Sequence, residues 1–266
     1  MRYHNISKDD FLNGDGIRAV LFVSGCTHHC PECHNPVTWS RDGGVEFDAA
    51  AKAELFEYLK NDYVSGVTFS GGDPFAVYNR EEVLSLMAEV KEAFPEKTVW
   101  VYTGWTKAEL EEQGFFERAK EYIDVLVEGR FEISKRSVPY HWAGSTNQRV
   151  LRKESDFEIN TSDPIYEALV EAQHRAEGPD AELLAEAAGA VAKEINPDGY
   201  APEAVVRAAA VLEAYEERAR TEMRSDSAKR YALEKFGEAL KEVGDRAKEA
   251  QRDDLECRDN EERDGV

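Results

Sequence analysis

Apolar positions in the first half of the chain follow two alternating rhythms. Short runs at Ala19–Ser24, Gly66–Ser70, Thr98–Thr103 and Ile123–Val127 have the length and β-branched content of strands buried on both faces. Between them lie longer stretches with helical spacing. Phe47 to Tyr63 carries Leu55, Phe56 and Leu59 on one stripe behind a capping Asp48. Arg80 to Phe94 carries Val83, Leu84, Met87 and Val90 and stops at Pro95, and Lys107 to Tyr122 is interrupted near Gly114. Strands alternating with helices predict repeated βα units on a parallel sheet, with right-handed crossovers that curl it and place the helices outside. In such sheets chemistry collects at the C-terminal ends of the strands.

The pattern changes after Arg152, where Ala, Glu and Arg dominate. Ser162-Asp163-Pro164, Pro179, Pro202 and Ser225-Asp226 mark four helix starts. Their apolar stripes (Ile165/Leu169, Leu184/Ala188/Val191/Ile195, Val205/Ala209/Leu212 and Phe236/Leu240/Val243/Ala247) are narrow. They predict a loosely packed helical appendage with solvated charged faces in preference to a dedicated docking domain. The expected organisation is therefore a first domain over 1–153, an acidic helical extension over 154–251, and a disordered tail over 252–266 in which Cys257 is a lone exposed thiol.

Chemistry concentrates in one loop. Gly25-Cys26-Thr27-His28-His29-Cys30-Pro31-Glu32-Cys33-His34-Asn35 follows the first strand and holds three of the four cysteines, spaced C-x3-C-x2-C. Thiolates so close together cannot all bridge one another, but they can wrap a metal centre. A closed iron–sulfur or zinc site wants four ligands, so this loop either borrows a fourth or leaves one metal position open for a substrate. A zinc knuckle completed by His28, His29 or His34 is the competing possibility. A second loop, Ser70-Gly71-Gly72-Asp73-Pro74, follows the second strand, and its glycines let the backbone approach a ligand closely. With Thr103-Gly104 and Glu128-Gly129 it places four loops on one rim, of which a zinc knuckle would need only the first. His28 and His29 read as exposed loop residues, and Trp39, Trp105 and Trp142 as core or lid residues. No side-chain acid or base is assigned to catalysis.

Charge narrows the partners. The net charge is −21, of which residues 1–154 contribute −7 and residues 155–266 contribute −14. Such acidity argues against nucleic acid as a direct ligand, because phosphate binding needs a basic footprint. Arginine outnumbers lysine, and an acid-rich, lysine-poor balance suits a protein that works in high salt. No run approaches the roughly 18 apolar residues of a membrane span, and Met1–Asn5 opens no apolar signal region. A soluble cytoplasmic protein is expected, in a compartment where clustered cysteines ligate metals more often than they form disulfides.

The C-x3-C-x2-C spacing resembles that of the radical S-adenosylmethionine enzymes. Residues 1–152 resemble more particularly the activating proteins of anaerobic, class III ribonucleotide reductases. The blocks that carry the resemblance begin with Asn13-Gly14-Asp15-Gly16-Ile17-Arg18, Leu21 to Cys26 and Cys30 to Trp39. They continue through Ser70 to Pro74, Trp100 to Trp105, Val127 to Phe131 and Trp142 to Gln148. The resemblance implies an α/β fold, a partial (βα) barrel of the radical S-adenosylmethionine type, with the helical extension appended. It implies that Cys26, Cys30 and Cys33 hold a [4Fe–4S] cluster whose fourth iron is chelated by the amino and carboxylate groups of S-adenosylmethionine. Gly71, Gly72 and Asp73 would line up with the cofactor's amino group, and Glu32 and His34 would lie near its adenine. A low-potential donor such as flavodoxin or ferredoxin would reduce the cluster. Cleavage of the sulfonium would give methionine and a 5′-deoxyadenosyl radical, which takes hydrogen from a glycine Cα of the glycyl-radical subunit of the reductase. Three positions depart from the family pattern: Asp15 stands for proline, His34 for tyrosine, and Ala143 for the arginine that follows Trp142. An activase for a formate-lyase type of glycyl-radical enzyme, a small iron–sulfur carrier and a zinc-stabilised binding module are the alternatives.

Overall fold

The strands and helices expected in the first half all form in the computed structural model, which describes residues 1–137, 140–158, 160–195 and 202–264. In chain order they are β1 (Arg2–Asp10), β2 (Ile17–Val23), β3 (Val45–Glu46), α1 (Ala49–Leu59), β4 (Val64–Gly71) and α2 (Arg80–Ala93). β5 (Thr98–Tyr102), α3 (Lys107–Glu112), α4 (Phe116–Ala119), β6 (Val125–Glu128) and β7 (Arg149–Arg152) follow. The third expected helix is thus split in two at Gly114, whose φ of +64° breaks the helical path.

The fold is mixed α/β, built on a seven-stranded sheet in the order β3-β1-β2-β4-β5-β6-β7. The centre, β2-β4-β5-β6, is parallel as expected, but β1, β3 and β7 pair antiparallel at its edges. These three strands escape a hydrophobic-pattern reading for a physical reason. β1 is polar along most of its length and mostly not buried, while β3 and β7 span only two and four residues.

Alternation along the strands sorts residues to two faces. Ala19, Leu21, Val23, Val67, Phe69, Val99, Val101, Leu126 and Leu151 form one core with Leu55, Leu59, Val83, Met87 and Leu110 of the helices. On the other face Trp100, Val125, Val127 and Val150 cluster with the partly buried Trp142 and Ala143. Arg18 is fully buried at the start of β2. Its guanidinium donates to Thr68 Oγ1 (2.8 Å), Thr98 Oγ1 (2.9 Å) and the carbonyls of Val67 and Thr98 (both 2.8 Å), tying β2, β4 and β5 together. Burial pulls its pKa down to about 10, so the group still carries its charge at neutral pH.

The chain divides into two compact units, Met1–Phe157 and Glu158–Val266. The boundary lies a few residues beyond the one expected, because Phe157 is buried in the first unit's core, edge-on to Phe116 at 5.4 Å. The second unit contains α5 (Pro164–His174), α6 (Pro179–Ile195), α7 (Pro202–Glu222) and α8 (Asp226–Asp264), starting where the prolines and caps predict. It is not a loose appendage. Ile165, Leu169, Leu184, Val191, Leu212, Phe236 and Val243 meet in a core of their own, and the small side chains of Ala187, Ala208, Ala219, Ala232 and Ala239 let the helices approach closely. α8 also continues to Asp264 through most of the stretch expected to be disordered. Residues 252–264 contain no glycine or proline, and Arg252/Glu256 and Arg258/Glu262 have the i,i+4 spacing that supports a helix. Only the backbone is described at position 257, so the expectation for the Cys257 thiol lies outside what is described. Among the described residues, no helix is long and apolar enough to cross a membrane.

Truncating Phe236, fully buried in the helical unit, to alanine should cost about 3–5 kcal/mol. Urea denaturation followed by far-ultraviolet circular dichroism measures this. A loss below about 1 kcal/mol would mean that the unit has no specific core.

Candidate metal centre

β2 and β4 run parallel with Val23 paired to Gly71, so both strands end at the same level and their loops leave side by side. Two backbone hydrogen bonds join those loops directly. Gly72 N–H donates to the Val23 carbonyl and Asp73 N–H to the Gly25 carbonyl, each at 2.8 Å. The contact is so close that a Cβ on Gly72 would stand 2.5 Å from the Gly25 oxygen. On its other side the cysteine loop is held by Gly25 N–H to the Thr38 carbonyl (2.7 Å) and Cys26 N–H to the Trp39 carbonyl (3.1 Å). Thr38 is the buried end of a 3₁₀ turn over Pro36–Thr38.

Cys26, Cys30 and Cys33 are free thiols, each partly buried. Asn35 N–H donates to Cys33 Sγ at 3.4 Å, and the nearby backbone N–H groups of His28 and His29 at Cys26 and of Phe131 at Cys30 favour the thiolate forms. Burial pushes the Cys26 thiol up to about 11 and raises Cys30 as well. Neighbouring sulfurs add to both effects, Cys30 acting on Cys26 and Cys33 on Cys30. Among the described residues, no three His, Cys, Asp or Glu side chains are already gathered closely enough to hold a metal ion. The donor chemistry nevertheless fits an iron–sulfur cluster, whose thiolate ligands are stabilised by N–H groups aimed at sulfur.

Asp73 is the surprise of the glycine loop. Its carboxylate is fully buried and meets four donors: Phe75 N–H (2.8 Å) and Thr103 Oγ1 (2.9 Å) at Oδ1, and Gly104 N–H (3.1 Å) and His28 Nε2 (2.8 Å) at Oδ2. His28, expected to be exposed, has a side chain only 4 % accessible. It lies edge-on to Trp105 at 4.9 Å, and the carboxylate offsets the cost of burying its polar ring. His29 is exposed, with its ring 5.0 Å from that of Trp39.

Glu32 and His34 both lie on the exposed side of the cysteine loop, and the His34 ring is tilted against Phe131 at 6.1 Å. Glu128, at the end of β6, is buried and accepts from Lys107 N–H and the Arg149 guanidinium, while burial raises its pKa. The structure therefore brings the cysteine loop, Gly71-Gly72-Asp73 and Thr103-Gly104 together, and Phe131 joins them through Cys30. His28 and Thr103 emerge as members of the site by their bonds to Asp73. Among the described residues, Trp105 Nε1 and Asn147 Oδ1, on the loops after β5 and β6, and His4 Nε2 are buried polar atoms without a hydrogen-bond partner.

Residues 12–151 match the family described as a 4Fe-4S single cluster domain. Over 152 residues the chain is 40% identical to the anaerobic ribonucleoside-triphosphate reductase-activating protein of Enterobacteria phage T4, covering 56% of this chain and 93% of that protein. The protein of the same name from Pasteurella multocida is 40% identical over 154 residues, or 57% of this chain and 98% of its own. The Escherichia coli K12 counterpart is 36% identical over 152 residues, covering 56% and 97%. The family match over residues 12–151 falls within the first unit, and the helical unit lies beyond it.

Gly72→Ala should force the two loops apart and cost about 1–3 kcal/mol, as overpacking does. In α6, Gly189→Ala meets no atom within 4 Å and should instead stabilise by up to about 1 kcal/mol. Urea denaturation of the two variants checks the contrast, and an equally tolerated Gly72→Ala would contradict the close approach.

Proposed function

The chain belongs to the family of anaerobic ribonucleoside-triphosphate reductase-activating proteins with a 4Fe-4S single cluster domain, and on that premise we propose that it is a radical S-adenosylmethionine activase that generates the glycyl radical of an anaerobic ribonucleotide reductase. The observation that carries this reading is the direct hydrogen bonding of the cysteine loop to the glycine loop at the ends of two parallel strands. A structural zinc knuckle would have no use for that junction.

Cys26, Cys30 and Cys33 would hold a [4Fe–4S] cluster, three thiolates for four irons, and so would leave a place for S-adenosylmethionine beside it. The chemistry the cluster would supply when bound is the one electron for reductive C–S cleavage of S-adenosylmethionine to methionine and a 5′-deoxyadenosyl radical, which would take hydrogen from a glycine Cα of the reductase. The backbone of the Gly71-Gly72-Asp73 loop would bind the amino group. Glu32 and His34 would lie beside the adenine, with Phe131 as an aromatic neighbour whose ring centre is 6.1 Å from that of His34. N–H groups from His28, His29, Phe131 and Asn35 stabilise the negative charge on the sulfurs. The sheet, with helices packed on one face, is read as the partial (βα) barrel of this superfamily, and no side-chain acid or base is needed. Flavodoxin or ferredoxin in the cytoplasm serves as the electron donor. The names of the relatives favour the reductase over a formate-lyase type of target.

Anaerobic reconstitution with iron and sulfide should give a brown protein that converts S-adenosylmethionine to 5′-deoxyadenosine and methionine once reduced. Each of Cys26→Ala, Cys30→Ala and Cys33→Ala should abolish nucleoside formation, measured by chromatography, and iron chelation should do the same to the wild type. A colourless zinc protein, or full turnover in any one cysteine variant, would refute the assignment.

A further inference from the structure

The fold keeps a slot open for the imidazole of His28. At Gly104, a Cβ would stand 2.4 Å from His28 Cδ2, so only glycine leaves room for the ring. Trp105 closes a second side edge-on at 4.9 Å, and at the tip Nε2 meets Asp73 Oδ2 at 2.8 Å. Three loops therefore build the slot: the one after β2 that carries the cysteines, the glycine loop after β4, and the turn after β5. The carboxylate at its end is fully buried, and its other three donors come from Phe75, Thr103 and Gly104. A buried carboxylate that loses one donor retains the desolvation cost without the compensating bond.

His28 lies midway between Cys26 and Cys30, and Asp73 is the residue directly after Gly71-Gly72. We propose that His28 is a positioning residue: by bonding the Asp73 carboxylate it fixes the Cys26–Cys30 segment relative to the glycine loop, and so sets how tightly S-adenosylmethionine bridges the cluster and that loop. This role presupposes the activase reading above. It also assigns the Asp73 carboxylate to holding His28, Thr103 and Gly104, which leaves the contact with the cofactor's amino group to the loop backbone. A ligand that grips two loops at once is sensitive to their spacing, and partners of a ligand loop act through such spacing.

The test uses the full chain, reconstituted anaerobically, as wild type, His28→Leu, His28→Gln and Gly104→Ala. Iron content, the dissociation constant for S-adenosylmethionine, and the electron paramagnetic resonance spectrum of the reduced cluster with and without that compound are measured. His28→Leu should keep wild-type iron but bind S-adenosylmethionine about 10–100-fold more weakly, with a smaller ligand-induced spectral change. His28→Gln, which retains an N–H at similar reach, should recover most of the affinity. Gly104→Ala, which displaces the His28 ring while leaving every residue of the cysteine loop unchanged, should weaken binding in the same direction. Binding by His28→Leu within about twofold of wild type, or no recovery in His28→Gln, would overturn the proposal. If the buried charge left in His28→Leu prevents purification, the paired variant His28→Leu with Asp73→Asn decides: normal iron with weak binding supports the role, and wild-type binding overturns it. A wild type that takes up iron yet ignores S-adenosylmethionine would refute the activase reading and this role with it. Wild-type binding that the His28 variants share would refute this role alone.

Discussion

Two backbone hydrogen bonds, Gly72 N–H to Val23 and Asp73 N–H to Gly25, govern the candidate centre. They exist because β2 and β4 are parallel neighbours that end at the same level. Parallel strands send their C-terminal loops off the same edge of a sheet, so loops distant in sequence become neighbours there. The cysteine loop and the glycine loop are separated by some forty residues of helix and strand, yet no side chain stands between their backbones at Gly25 and Gly72. Everything proposed for the centre depends on that closeness, since a ligand held by both loops must find them at a fixed separation.

The rest of the first unit keeps that junction rigid. Helices on one face and the Trp100 cluster on the other bury the central strands from both sides. Arg18 ties three of them together from within the sheet through four hydrogen bonds to Thr68, Thr98 and Val67. At the rim Asp73 gathers donors from the cysteine loop, its own loop and the end of β5. Buried polar networks of this kind specify one arrangement when every member is satisfied. The helical unit combines matching stripes of alanine and larger apolar side chains with two buried carboxylates, Asp163 paired to Arg246 and Asp180 accepting from Arg224 and Ser225 N–H.

Much of this is legible in the sequence because it rests on local rules. Apolar runs mark the central strands, Asp48 and Asp163 cap helices as their positions suggest, and C-x3-C-x2-C places three thiols on one loop whatever the fold. What is not legible depends on neighbours. β1 and β7 are strands because the sheet edges offer hydrogen bonds, not because their side chains demand burial. The burial of His28 follows from Asp73 and Gly104, which lie 45 and 76 positions further along. Gly71-Gly72 reads equally well as a ligand-approach loop or as a turn, and the structure adds a third reason for glycine at position 72: contact with Gly25. The length of α8 is likewise hidden, because a charged, apolar-poor sequence fits both a solvated helix and a disordered tail.

The most direct test of the central claim is Mössbauer spectroscopy of the chain reconstituted anaerobically with ⁵⁷Fe, with and without S-adenosylmethionine. About four irons per chain are expected, three of them unaffected and one shifted to a higher coordination number when the compound is added. Four irons that all ignore S-adenosylmethionine, or a site that takes up zinc and no iron–sulfur cluster, would contradict it.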